Sequence, residues 1–261
     1  MSVQPSVGWG VLHLFVHIDR ERVAREPHAA KRSLDAVASL RADGHQVMIG
    51  SALGHKADIA VMALGPDLAR LQRFQSEFMA GPFTLTWSFL SLTELSPYTS
   101  TLEDERERLV SEEQLTDEDE ISGKLAVWSD RMVHYQQQRI HPKLPQKNVM
   151  CFYPMLKRRV GDDNWYSLPF VERKRLMGSH ARTGRGYAGR VLQLITGATG
   201  MDDWEWGVTL FCDDPVVIKD IVHEMRFDEV SARYAEFGPF IISLLNDPET
   251  VFANTGLTTV D

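Results

Sequence analysis

The feature that most constrains this chain is a repeated order of elements. In the first third, GVLHLFVHID (10–19) alternates like a strand and AAKRSLDAVASLRADG (29–44) has helical spacing with Gly44 as its stop. HQVMIGSAL (45–53) and ADIAVMALG (57–65) are short strands around a glycine turn. PDLARLQRFQSEFMAG (66–81) carries Pro66 at a helix start and Gly81 past its end, and PFTLTWSFLSLTEL (82–95) is again a strand. The order is β-α-β-β-α-β, the ferredoxin-like pattern.

The last third repeats it. NVMCFYPML (148–156) predicts a strand, and SLPFVERKRLMGSHARTG (167–184) a helix capped by Ser167, with Pro169 near its start. GRVLQLITGA (189–198) and WEWGVTLFCDD (204–214) predict strands, DPVVIKDIVHEMRFDEVSA (214–232) one helix, and RYAEFGPFIISLL (233–245) a closing strand. The fold class is therefore α+β: two fused ferredoxin-like units, a dimeric α+β barrel with antiparallel sheets and helices on the outside. Each unit leaves a bare sheet face. Packing these faces together, in a sandwich or a barrel-like core, buries both. The expected units are residues 1–100 and 148–261. The connecting segment 101–147 begins with the acidic run LEDERERLVSEEQLTDEDE (102–120), which reads as a solvated helix or loop.

Composition narrows the function. With 261 residues the chain makes one large domain or two ordinary ones. A hydrophobic fraction of 43% and a charged fraction of 25% are those of a soluble globular protein. A net charge of −8 argues against a nucleic-acid partner. Cys151 and Cys212 lie in apolar runs and form no metal-type pair, so two buried free thiols are expected. MSVQPSVGWG has no basic stretch before an apolar core, and no apolar run approaches the roughly 20 residues that span a bilayer. The expectation is a cytoplasmic protein without a membrane span.

Gly184, Gly186 and Gly189 have the spacing G-x-G-x-x-G. A dinucleotide loop needs a strand before that motif and a helix after it. Here the order is reversed, so the glycines end a helix and turn the chain. His180 shares an apolar helix face with Leu176 and Met177. A histidine there is more often a packed residue, and its functional alternative is a metal or haem ligand. His13 and His17 read as structural, and His134 and His141 stay unassigned. No G-x-S-x-G elbow supports a serine hydrolase. In CFYPMLKRR (151–159), Tyr153, Met155 and Lys157 project from one strand face. A phenol, a thioether and an ammonium in line suit a flat apolar ligand with carboxylate edges, although a half-buried aromatic beside an exposed lysine is common. Alternation puts Trp204 and Trp206 on one face and Glu205 on the other.

The run CFYPMLKRRVGDDNWYSLPFVERKRLMGSHARTGRGYAGRVLQLITGATGMDDWEWGVTLF, followed by HEMRFDEVSARYAEFGPF, closely resembles the coproheme decarboxylases of the chlorite dismutase-like superfamily. The resemblance covers roughly residues 148–243. It rests on Tyr-Pro-Met-x-Lys, a histidine at 180, a glutamine at 193 and Asp-Asp-Trp-Glu-Trp-Gly. It implies a homopentamer that binds iron coproporphyrin III in its C-terminal unit. There hydrogen peroxide drives decarboxylation of two propionates to vinyls, giving haem b. His180 would be the proximal iron ligand and Tyr153 the redox tyrosine. Pro154, Met155, Leu156 and Lys157 would line the porphyrin, with Lys157 pairing a propionate. Arg139 and Ser231 would bind other propionates. Gln193 would sit on the distal side, where chlorite dismutases carry an arginine.

A glutamine is no base at neutral pH, which leaves a substrate propionate, a water, His134 or His141 to deprotonate peroxide. The pathway implies a transient contact with the coproporphyrin ferrochelatase that delivers the substrate. Two rival readings are a chlorite dismutase or dye-type peroxidase on the same scaffold, and a haem-binding or regulatory protein without turnover.

Overall fold

The computed structural model describes residues 1–26 and 28–257; residues 258–261 of the expected C-terminal unit lie outside them. The first half runs β1 (Gly10–Ile18), α1 (Arg20–Arg25), α2 (Ala29–Ala42), β2 (Gln46–Leu53), β3 (Ile59–Gly65), α3 (Leu68–Phe78) and β4 (Phe83–Thr93). Helices α4 (Leu102–Ser111) and α5 (Glu118–Ile140) follow. The second half runs β5 (Val149–Lys157), α6 (Phe170–Arg185), β6 (Val191–Gly197), β7 (Trp206–Cys212), α7 (Val216–Met225), α8 (Glu229–Tyr234), β8 (Ala235–Phe237), β9 (Ile241–Asn246) and α9 (Pro248–Asn254).

The bare faces are buried by closure. The strands are antiparallel in the order β7-β6-β4-β1-β3-β2-β9-β5, and β5 pairs back onto β7. The halves meet at two seams, Leu92–Thr93 on Thr196–Gly197 and Ile49–Leu53 on Ile242–Asn246. A closed barrel gives those strand edges partners. Its interior is aromatic: Phe15, Phe89, Phe152 and Phe211 are fully buried, each worth about 1.5–3 kcal/mol of transfer free energy. Outside, α2, α3 and α9 cover the first half with Leu40, Phe74, Phe78 and Phe252.

His13 is structural, as expected. It lies inside the barrel with Nε2 3.1 Å from Thr209 Oγ1 and its ring 4.2 Å from Phe152. Burial lowers its pKa to about 3, so it is neutral there. His17 instead pairs with Asp58 at 3.2 Å.

Several expected boundaries change. Helix α6 starts at Phe170, with Pro169 in the cap position and no side-chain cap; Ser167 belongs to a short 3-10 turn, Trp165–Ser167. The expected helix 214–232 is α7 and α8, because Asp228 is extended between them. The expected strand 233–245 divides at Gly238, where a Cβ would lie 2.6 Å from the Pro154 ring. Trp204 precedes β7, so alternation does not govern it: it packs with the barrel core, while Trp206 faces outward. Glu205 is 6% exposed and accepts the Lys157 backbone N–H at 2.8 Å.

The acidic segment is folded and attached. Thr101 and Asp104 form a capping box at the start of α4. Asp104 also accepts from Lys174 Nζ of α6 at 2.6 Å, and that hydrogen bond does most to hold its pKa down at about 2. Helix α5 buries little beyond Ile121 and exposes Val127, Val133 and Tyr135.

Candidate functional site

Helices α6, α7 and α8 cross the outer face of β5, β6 and β7 and leave a narrow cavity between them and the sheet. Strand alternation builds its floor. Tyr153, Met155 and Lys157 come from β5, Gln193 and Ile195 from β6, and Val208 from β7. His180 comes from α6, Val222 and Met225 from α7, and Ser231 from α8; Arg226 and Phe237 complete the lining. One turn beyond His180, Gly184 faces this floor: a Cβ there would lie 3.4 Å from Gln193 Nε2.

The β5 residues are strongly perturbed. Tyr153 is 6% exposed and stacks on Phe240 at 4.3 Å. Burial pushes its phenol well above the ordinary range, and its hydroxyl has no hydrogen-bond partner among the described residues. Lys157 is also 6% exposed, and among the described residues its ammonium meets only the Val230 carbonyl at 3.5 Å and the Trp165 ring at 4.8 Å. Burial lowers its pKa to about 8, with the Glu205 charge opposing. A buried ammonium with so few partners is costly to hold and leaves hydrogen-bond donors open to an anion.

His180 is held from behind. Its Nδ1–H donates to Asp228 Oδ2 at 2.9 Å, and Thr183 Oγ1 donates to Asp228 Oδ1 at 3.1 Å. The carboxylate selects the tautomer with the Nε2 lone pair free. Burial pulls the His180 pKa down; the Asp228 hydrogen bond opposes this. The imidazole is therefore neutral and oriented, with Nε2 free.

Not every expected site residue reaches the cavity. Pro154 and Leu156 alternate with the lining residues, and Pro154 packs on Gly238 and Trp204 at the other face of β5. Arg139 stands at the rim, donating to the Ile195 carbonyl at 3.4 Å. His134 bonds Gln138 and His141 bonds Gln137, both away from the cavity. Arg226 and Asp228 were not singled out from sequence. Arg226 sits 4.4 Å over the Phe237 ring with no carboxylate in ion-pair range among the described residues. A larger open groove beside β2 has its cations already engaged: Arg41 on the Val47 carbonyl and Lys147 on Asp213.

The sequence profile described as chlorite dismutase matches residues 24–245. The chain belongs to the chlorite dismutase family. Within it, a Thermus thermophilus protein named coproheme decarboxylase is 39% identical over 96% of this chain and 95% of its own length. A Natronomonas pharaonis protein named for haem binding is 41% identical over 96% of this chain; the match spans only 42% of that longer protein. The solved structure of a haem-binding protein from Thermus thermophilus superposes with a TM-score of 0.77 at 36% identity, over 98% of this chain and 100% of that one.

Proposed function

We propose that this family member is a hydrogen peroxide-dependent coproheme decarboxylase, converting two propionates of iron coproporphyrin III to vinyls to give haem b. One observation carries the reading. The cavity sets an unpartnered phenol, a buried under-partnered ammonium and a carboxylate-held imidazole around one apolar space. That donor set fits a flat iron porphyrin with carboxylate edges. The Thermus protein named coproheme decarboxylase supports it at 39% identity.

His180 Nε2 would hold the iron, with Asp228 fixing the ring. Lys157, Arg226, Arg139 and Ser231 would take the carboxylates through charge-assisted and hydroxyl hydrogen bonds. Met155, Ile195 and Val208 would face the macrocycle, and Gln193 would offer a neutral amide on the distal side. With peroxide, the bound iron porphyrin supplies two oxidising equivalents per propionate. Tyr153, protonated and unpartnered, gives up the hydrogen atom of its hydroxyl and regains one from the propionate chain. Each propionic acid side chain and one hydrogen peroxide yield one vinyl, one carbon dioxide and two waters. A substrate propionate or a water is left as the base for peroxide, since His134 and His141 lie elsewhere.

The homopentamer, the contact with a ferrochelatase and the cytoplasmic location belong to the same proposal. The exposed Val127, Val133 and Tyr135 of α5 support assembly, and no helix among the described residues is long and apolar enough to cross a membrane. The test is Tyr153→Phe. Coproheme affinity should stay within about threefold, or 0.7 kcal/mol, while decarboxylation stops. A variant that turns over normally removes Tyr153 from the chemistry.

A further inference from the structure

The outer face of β6 continues beyond the cavity, from Gln193 and Ile195 to Gly197. Gly197 pairs with Trp206 on β7, and Trp206 pairs with the cavity residue Met155 on β5. Glu94, just past the end of β4, lies where a side chain at 197 would stand: a Cβ there would meet its Oε2 at 2.2 Å. Trp206 Nε1 donates to Oε1 at 3.0 Å. Oε2 has no donor among the described residues. Arg139 reaches the same corner from α5, with only its long bond to the Ile195 carbonyl and no carboxylate in ion-pair range among the described residues. The corner thus holds a seated carboxyl with one free oxygen beside an unspent guanidinium.

We propose that Glu94 is a carboxylate-recognition residue acting beside Arg139: it takes up a proton when a substrate carboxylate docks there, and donates it from Oε2 to that carboxylate. This rests on the porphyrin reading above and deepens it. A docked anion spends the Arg139 charge and leaves an ionised Glu94 facing a like charge in a half-buried corner. Protonation removes the repulsion and turns an acceptor into a donor. Arg139 from α5 is the charged group that bears on Glu94; β6 and β7 contribute the neutral Gly197 and Trp206. Burial already raises the Glu94 pKa, against the Trp206 hydrogen bond and then the Arg139 charge. The corner so built favours a porphyrin with a carboxylate at that edge over one with a vinyl.

The test is fluorescence titration of the full chain with metal-free coproporphyrin III at pH 5.5 and 7, where Lys157 is charged. Wild type should bind more weakly at pH 7. Glu94→Gln, whose amide mimics the neutral acid, should bind about three- to tenfold tighter than wild type at pH 7, half to one pKa unit of linkage, and lose much of the pH step. If wild type binds but the variant matches it at both pH values, or binds more weakly, Glu94 has no such role and the porphyrin reading stands. If wild type binds no coproporphyrin, the porphyrin reading fails and takes this proposal with it.

Discussion

Replacing Lys157 with methionine removes a charge that the fold holds at a cost. The ammonium is 6% exposed, and its pKa falls from the 10.5 of a free lysine to about 8. At about 1.4 kcal/mol per unit, burying the charged form costs on the order of 3 kcal/mol. The cation–π contact with Trp165 returns about 1 kcal/mol that methionine forfeits. Lys157→Met should therefore stabilise the free protein by about 2 kcal/mol at pH 7, or about 4–8 °C in Tm for a chain of this size. The sign follows from the depressed pKa. Below pH 8 the lysine is charged in both states and the folded state bears the full cost. Between pH 8 and 10.5 the folded lysine is neutral while the unfolded one is charged, so the cost fades and the variant's advantage disappears. Melts at pH 7 and pH 10.5 measure both ends. In the same variant, coproporphyrin affinity should fall about 10- to 100-fold, the 1.5–3 kcal/mol of a charge-assisted hydrogen bond. A variant less stable than wild type at pH 7, with unchanged affinity, would refute the picture of an under-partnered cation kept for its ligand.

Two further outcomes follow from the helices over the cavity. Asp228→Asn keeps the side-chain shape but removes the charge behind His180; iron ligation should weaken about 10- to 100-fold, read from coproheme titration and the Soret band. Gly184→Leu places a bulky side chain against Gln193 and Met225, so porphyrin binding should be lost while Tm holds or rises, because leucine is the better helix former by close to 1 kcal/mol.

The element order was legible because period and punctuation act locally: β1 to β4 fall within a few residues of their expected ranges. The floor of the site was legible for the same reason, since alternation alone puts Tyr153, Met155 and Lys157 on one face. What failed depended on distant groups. The 214–232 helix breaks where Asp228 turns to serve His180 and Thr183, a tertiary demand without a local signal. The family resemblance covered Pro154 and Leu156, yet the pleat turns them away from the cavity. Glu94 was invisible because its seat is a missing Cβ more than a hundred residues away, at Gly197.

The central claim is that this cavity strips two carboxyl groups from a bound porphyrin. Titrating the purified protein, loaded with iron coproporphyrin III, with hydrogen peroxide while following porphyrin mass tests it directly. The account predicts two successive losses, each of one carbon dioxide and two hydrogens, ending at haem b after two equivalents of peroxide. A complex that binds coproheme but keeps all four carboxylates through that titration would contradict it.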